Sequence, residues 1–277
     1  MEDLALVQRS ITWFVCGALI LGVSLIVAIR LLGRTNDDRN PTIVGALALT
    51  KVGAKLGAPP LYTYVGDVGT QSAVIGVGLT GGLETAALRI LVSNVKPDGC
   101  TTLGVTLVGK PTLIGKDTAL YSFHQARVRD VFMFEIEVPA NARGSVSCNV
   151  TDPPERETFV TRRMAFSPPT NADILTMARS GGYEPIWPAM VNIQRVTEST
   201  SFTTIGGTPV HDNVLGSVTE ASYLTPADPI LRAYWTDEPS RAWQTFWLFL
   251  LAAVSGLGVA MLLEGARPWI ERLTVQN

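Results

Sequence analysis

The chain has 277 residues, 47% hydrophobic and only 17% charged, against roughly 25% charged in an ordinary soluble domain, and its mean hydropathy is +0.25. This composition argues against an ordinary soluble enzyme. With 22 basic and 24 acidic residues the formal charge is −2, so no overall basic field favours nucleic acid and no acidic block marks a disordered tail.

Residues 1–10 read as a short terminal tail. Between Arg9 and Arg30 lie twenty residues without a charge, enough at about 1.5 Å per helical residue to cross a bilayer core of about 30 Å. A transmembrane helix is therefore expected over 11–32. Its apolar run exceeds the roughly 7 to 15 residues of a cleaved signal peptide and lacks a small-residue cleavage site. Residues 33–60 read as a juxtamembrane linker and helix. Asn40-Pro41 offers an N-cap and a proline at the first helical position, and Gly57 with Pro59-Pro60 offers a stop, which places a helix over about 41–56.

From Leu61 the texture changes to short runs rich in Val, Thr, Ile, Leu, Tyr and Phe, separated by Gly, Pro, Asn and Asp. Strands are expected over 61–66, 72–79, 86–93, 102–108, 118–124, 130–138, 144–150 and 158–166, the spacing of an antiparallel β-sandwich-like domain over 61–170. Alternation is clearest where Phe132, Phe134, Ile136 and Val138 would share one face and Glu135 and Glu137 the other. Pro139 to Gly144 then reads as a loop, making a hairpin into Val146, Cys148 and Val150. Cys100 and Cys148 lie in strand-like contexts where an oxidised pair would staple the domain, the alternative being two buried thiols.

A helix is expected over 171–179, capped by Asn171 and ended by Ser180-Gly181-Gly182. Residues 171–240 as a whole read as an irregular, mixed extension returning to the membrane, with strands near 190–197 and 201–205. Between Arg241 and Glu264 lie twenty-two uncharged residues, a second transmembrane helix over 242–263, followed by a short tail over 264–277. Trp13, Trp243, Trp247 and Trp269 suit interfacial anchors. Small residues four apart, Ala18 and Gly22 in the first span and Ala252, Gly256 and Ala260 in the second, mark expected helix-packing faces within the chain or between copies. Neither span centres on an ionisable residue, which weighs against a proton relay or ion pathway.

Gly76-Val77-Gly78-Leu79-Thr80-Gly81 has the GxGxxG spacing, after an apolar run and before 84–91, which reads as a helix start. Gly76, Gly78 and Gly81 are thus the candidate nucleotide-binding residues. Its surroundings read β, without an acid about 20 residues on, and the competing reading is a hairpin turning at Thr80-Gly81-Gly82. Gly109 to Lys116 resembles a phosphate loop superficially, with one residue too many between the glycines and Asp117 where Ser or Thr is needed. His124 and His211 are isolated and no cysteine pair has metal-ligand spacing, so no zinc site is expected. His211-Asp212 lacks a GxSxG elbow elsewhere in the chain, and Ser180 reads as helix termination. Glu135 with Glu137, and Glu155 with Glu157, read as solvated sheet faces. Arg127, Arg129, Arg156, Arg162 and Arg163 are too diluted by acids for a nucleic-acid surface.

The expected fold is mainly β, with two transmembrane α-helices bracketing an extramembrane antiparallel β-sandwich-like domain. The expected role is a noncatalytic, membrane-anchored binding or assembly subunit, with no cofactor or metal. Its expected partners are the lipid bilayer and other membrane proteins or further copies of itself. The arginine count around the spans favours a cytoplasmic middle, but that rule acts weakly on loops beyond about 60 residues. With the cysteine pair weighed in, both termini are expected in the cytoplasm and residues 33–240 outside it. The alternative is a membrane-anchored nucleotide-binding enzyme whose middle is cytoplasmic.

Overall fold

The computed structural model describes residues 2–32, 42–67, 72–121, 125–151, 161–195, 200–205, 208–210 and 220–275. They form two compact units, one made of Asp37–Glu157 and Thr161–Thr236, the other of Met1–Asn36, Thr158–Val160 and Asp237–Asn277. The described residues are mostly β, with 50% of them in strands, arranged as two mixed sheets, and a long apolar helix lies toward each terminus.

The first unit begins with β1 (Thr42–Lys51), β2 (Leu61–Asp67), β3 (Ser72–Thr80), β4 (Ala86–Ser93) and β5 (Val95–Leu103). The long strands β6 (Thr106–Tyr121) and β7 (Gln125–Val138) follow, then β8 (Arg143–Val150) and β9 (Thr161–Phe166). After α2 (Ala172–Arg179) come β10 (Tyr183–Pro185), β11 (Ala189–Arg195), β12 (Thr200–Ile205), β13 (Thr208–Val210), β14 (Glu220–Leu224) and β15 (Leu231–Asp237). One sheet has the order β12-β15-β9-β1-β4-β7-β6, with β10 also on β1, and the other β13-β14-β11-β2-β3-β8-β5. Both are mixed, because β1 pairs parallel with β9 and β2 parallel with β11. This corrects the purely antiparallel expectation.

Alternation places one face of each sheet on a shared core. Tyr62, Ile75, Val77, Val146 and Cys148 from one sheet join Leu88, Ile90, Phe134, Ile136 and Phe166 from the other in a single buried cluster. The expected face of Phe132, Phe134, Ile136 and Val138 is buried there, while Glu137 is exposed. A second cluster, with Leu47, Leu49, Leu91 and Val131, lies beneath Ile174 and Ala178 of α2. That helix follows its expected bounds, since the Asn171 side chain accepts from the backbone N–H groups of Asp173 and Ile174, and Gly181 and Gly182 then take positive φ.

Several expectations are corrected. Residues 42–51 form β1 rather than a helix. Every residue from Thr42 to Leu49 is buried, and a strand covered on both faces carries a continuous apolar run whose periodicity does not separate it from a helix. Neither expected hairpin forms, because β3 and β4 belong to different sheets, as do β7 and β8. The strand expected over 102–108 is broken at Gly104 (φ +66°), where the chain again changes sheets. The stretch after 182 is not simply irregular, for β10 to β15 complete both sheets, with β11 and β12 where strands were expected.

The second unit contains α1 (Glu2–Leu32) and α3 (Glu238–Val275). Gln8–Leu32 and Pro239–Ile270 are each long and apolar enough to cross a membrane.

Candidate functional site

The three motif glycines have unrelated roles. Gly76 and Gly78 lie inside β3, and β4 follows where a nucleotide site would need a helix N-terminus to receive pyrophosphate. The phosphate-cradling arrangement is therefore not built. Gly81 lies just past the strand end, where a Cβ would sit 2.2 Å from the Pro139 carbonyl oxygen. Its N–H donates to the Ala142 carbonyl at 2.7 Å. Close backbone approach dictates glycine at that position. At Gly76 the nearest atom to a Cβ would be Ser147 Oγ at 3.6 Å, and at Gly78 the Leu61 carbonyl oxygen at 3.5 Å. Both are ordinary contacts, and neither residue has positive φ. Glycine within a strand is less stable than alanine by roughly 0.5–1 kcal/mol, so the intramolecular packing gives no reason for these two.

Beyond the end of β3, residues 53–57, 81–86 and Asn141 enclose an open cleft of about 510 Å³. Its walls are tied by Gly57 N–H donating to the Thr80 carbonyl at 2.9 Å and Asn141 N–H to the Gly82 carbonyl at 2.7 Å. The ionisable residues lining it, Lys55 and Glu84, are both exposed. Leu83 on its rim is 88% exposed.

The outer side of the α2-bearing sheet holds two charge arrangements. Asp117 and Arg129 are cross-strand partners on β6 and β7, and their buried side chains meet at 3.0 Å. The Asp117 carboxylate also accepts from the backbone N–H groups of Thr170 and Asn171, and Arg129 donates to the Pro168 carbonyl. The pair thus fastens the β6–β7 hairpin to the segment that starts α2. Burial lowers the Arg129 pKa, while the hydrogen bond and charge of Asp117 oppose that shift. Arg89 pairs with Glu135 at 2.8 Å and lies over the Tyr183 ring, and it donates to the Ala178 and Ser180 carbonyls at the α2 C-terminus. Positive charge is favourable there. Glu135 is thereby an ion-pair partner, and Arg129 belongs to an interior pair rather than a basic surface.

The phosphate-loop lookalike lies within β6. This edge strand carries Pro111, exposed Lys110 and Lys116, and two register shifts, the features by which sheet edges resist pairing with another chain. Cys100 and Cys148 face each other across β5 and β8 as a disulfide, with sulfurs 2.17 Å apart.

In the helical unit α1 and α3 pack antiparallel. Ser10 Oγ donates to the Gly265 carbonyl, and Gln244 Nε2 to the Leu31 carbonyl at 2.8 Å. Between them a Cβ on Gly17 would lie 2.7 Å from the Gly258 carbonyl oxygen. These contacts step by seven residues along each helix, the repeat of a supercoiled seam. Ala18, Gly22, Ala252, Gly256 and Ala260 are all exposed, and a Cβ at Gly22 or Gly256 would meet nothing within 4 Å. The intrachain seam therefore uses Ser10, Gly17, Gly258 and Gly265 in their place. The readable signal was spacing by seven rather than four.

Asn40, Pro41, His124, Glu155, Arg156, Glu157, His211 and Asp212 lie outside the described residues. Among the described residues no group of three His, Cys, Asp or Glu side chains could hold a metal. No protein-family model matches the chain, and no curated protein matches it.

Proposed function

We propose that the chain is a noncatalytic, membrane-anchored binding or assembly subunit, its two terminal helices spanning a bilayer and its β unit forming a sandwich on one side. The observation that carries this reading is the helix pair. Its two members contact one another through small residues and carry large apolar side chains on their other faces, among them Leu19, Val23, Leu25, Phe249, Leu257 and Leu263, each at least 60% exposed. Such a surface is suited to lipid, where packing of small residues, rather than burial of apolar ones, holds helices together. Trp243, Phe246 and Trp247 cluster toward one end of α3, with Trp269 toward the other. Trp247 and Trp269 are twenty-two residues apart, or about 33 Å along a helix, close to the thickness of a hydrocarbon core.

The sheet topology supports a presenting role. β9 lies between β1 and β15, parallel to the first and antiparallel to the second. The start of β1 and the end of β15 therefore lie at one end of that sheet, and the 52–60, 81–85 and 139–142 loops at the other. We take the loop end of the β unit as the end that a partner would meet. The Cys100–Cys148 disulfide supports an extracytoplasmic β unit with both termini cytoplasmic, since such bonds persist in oxidising compartments.

The test is extraction of native membranes in mild detergent with protease treatment of intact cells. The chain is expected to resist alkaline carbonate, to be cleaved from outside within 33–240, and to co-purify with other membrane proteins. Recovery in the soluble fraction, or only as an isolated monomer, would overturn the reading.

A further inference from the structure

We propose that the Cys100–Cys148 disulfide is a redox latch on a strap: its reduction by a dithiol frees residues 96–103 from β8 while the rest of the β unit stays folded. The inference goes beyond the binding role proposed above and does not depend on the membrane assignment.

The strap is β5 itself. Among the described residues it lies at the end of its sheet, with β8 as its one strand neighbour. Val95 pairs with Val150, and Cys100 to Leu103 pair with Cys148 to Ser145, so residues 96–99 have no partner in that register. Of the nine residues only Val95 is buried; Gly99 and Cys100 are half-buried and the other six are exposed, Leu103 at 76%. Local stability follows buried apolar contact, and a stretch of four paired residues with almost none is marginal. The bond between the sulfurs is therefore what holds the middle of the strap.

Both ends are fastened without it. Before the strap Val95 enters the core, the Asn94 N–H donates to the Asp130 carbonyl at 2.9 Å, and the Asn94 carbonyl accepts from the Thr151 N–H at 3.0 Å. After it Val105 packs on the core. The crossing there is so close that a Cβ on Gly104 would lie 2.3 Å from the Arg143 carbonyl oxygen, and one on Gly144 2.2 Å from Val105 Cγ1. β8 is held from its other side by β3, through seven paired residues from Arg143 to Asn149, and Val146, Cys148 and Val150 are buried in the core. Release is thus confined between two fixed points, and the sheet then ends on β8 instead of β5. Lys96, Pro97 and the register break blunt β5 as an edge, whereas residues 144–150 contain neither charge nor proline. The oxidised strap guards an edge that the reduced protein bares.

Cys100 is half-buried and Cys148 is 1% exposed, so exchange begins at Cys100. One thiolate of the dithiol attacks the Cys100 sulfur, the S–S bond breaks, and Cys148 leaves as a thiolate that takes up a proton. The second thiol of the reductant loses its proton and attacks the reductant's own sulfur in the mixed disulfide, which releases Cys100 as a thiol. The dithiol ends as a disulfide, and the protein has gained two electrons and two protons. The Cys148 thiol is accommodated in the core as a small hydrophobe.

The test is amide hydrogen exchange on the full chain in mild detergent, before and after dithiothreitol without denaturant. Reduction of the pair is expected to speed exchange of the protected amides among residues 100–103 at least tenfold, while those of residues 74–79 on β3 stay within twofold of their former rates. Reoxidation should restore the protection. Joint replacement of Cys100 and Cys148 by Ala should reproduce the reduced pattern; if that variant proves poorly folded, the dithiothreitol series on the unaltered chain decides alone. Reduction that proceeds only as β3 also loses protection would make the pair a staple of the whole sheet, and protection of residues 100–103 undiminished in the reduced protein would leave the latch nothing to release. Either result overturns the inference.

Discussion

Tyr62 shows how one side chain completes a sheet it does not belong to. On one side of β1, β9 pairs with Thr42–Val44 and β10 with Leu49–Lys51. In the gap between them the Ala48 N–H donates to the Tyr62 hydroxyl at 2.9 Å, across the core from β2, and the ring stacks on Phe166 at 5.3 Å. Tyr62→Phe would orphan a buried N–H, at about 1–3 kcal/mol of stability, measurable by chemical denaturation. Burial also raises the Tyr62 and Tyr64 phenols above their usual value of 10.0. A group whose folded pKa is raised gives stability that is complete below its unfolded pKa and is lost as pH climbs through the folded one. Stability should therefore begin to fall above about pH 10, and replacing both tyrosines by Phe should flatten that alkaline loss in a pH series of unfolding midpoints. Asp117 and Arg129 make the complementary case. Removing one partner of a buried pair strands the other charge, typically at about 3–5 kcal/mol. Asp117→Ala is accordingly expected to be far more damaging in denaturation than Lys116→Ala, whose ion pair with Asp130 is exposed and 3.9 Å long.

Among the elements, the helix pair depends on register. An antiparallel seam brings every seventh residue to the same line, which selects Ser10 and Gly17 on α1 and Gly258 and Gly265 on α3, and turns residues spaced by four away from it. Gly17→Leu or Gly258→Leu places a side chain where a backbone lies within 3.2 Å of a Cβ and should separate the helices. Gly22→Leu and Gly256→Leu, which open onto empty space, should not. Disulfide trapping between Ser10→Cys and Gly265→Cys in membranes distinguishes them; equal trapping in all four backgrounds would discard the seam. Among the strands, β1 and β3 show opposite degrees of legibility. β3 alternates buried and half-buried residues, so its strand character and its core face were both readable. β1 is buried on both sides by its place in the middle of a sheet, and that place is set by β9 and β15, which arrive more than a hundred residues later.

For the molecule as a whole, the disulfide ties edge strand β5 to β8 and closes a loop with a sequence separation of 48. In the chain-entropy picture this constrains the unfolded chain by about 4 kcal/mol at most. Joint replacement of Cys100 and Cys148 by Ala should lower the thermal midpoint of the β unit by an amount that reductant reproduces in the unaltered protein. The same pair reports compartment, since thiol labelling after rapid acid quenching should find Cys16 free and the other two blocked. The GxGxxG spacing in β3 belongs to this scale too, for it suggested a chemistry that the strand following it, β4, does not support.

What the sequence by itself determined was local. Two uncharged runs fixed the long helices, period-two alternation fixed the strands exposed on one face, and an asparagine with two glycines bounded α2. Each signal is complete within a dozen or two residues, because it arises from the geometry of a single element against solvent or lipid. Which strands pair, where the chain changes sheets, and which glycines touch across α1 and α3 were decided only by tertiary structure. Those depend on contacts between segments far apart in the chain, and a residue's own periodicity carries no record of the neighbour that will cover it.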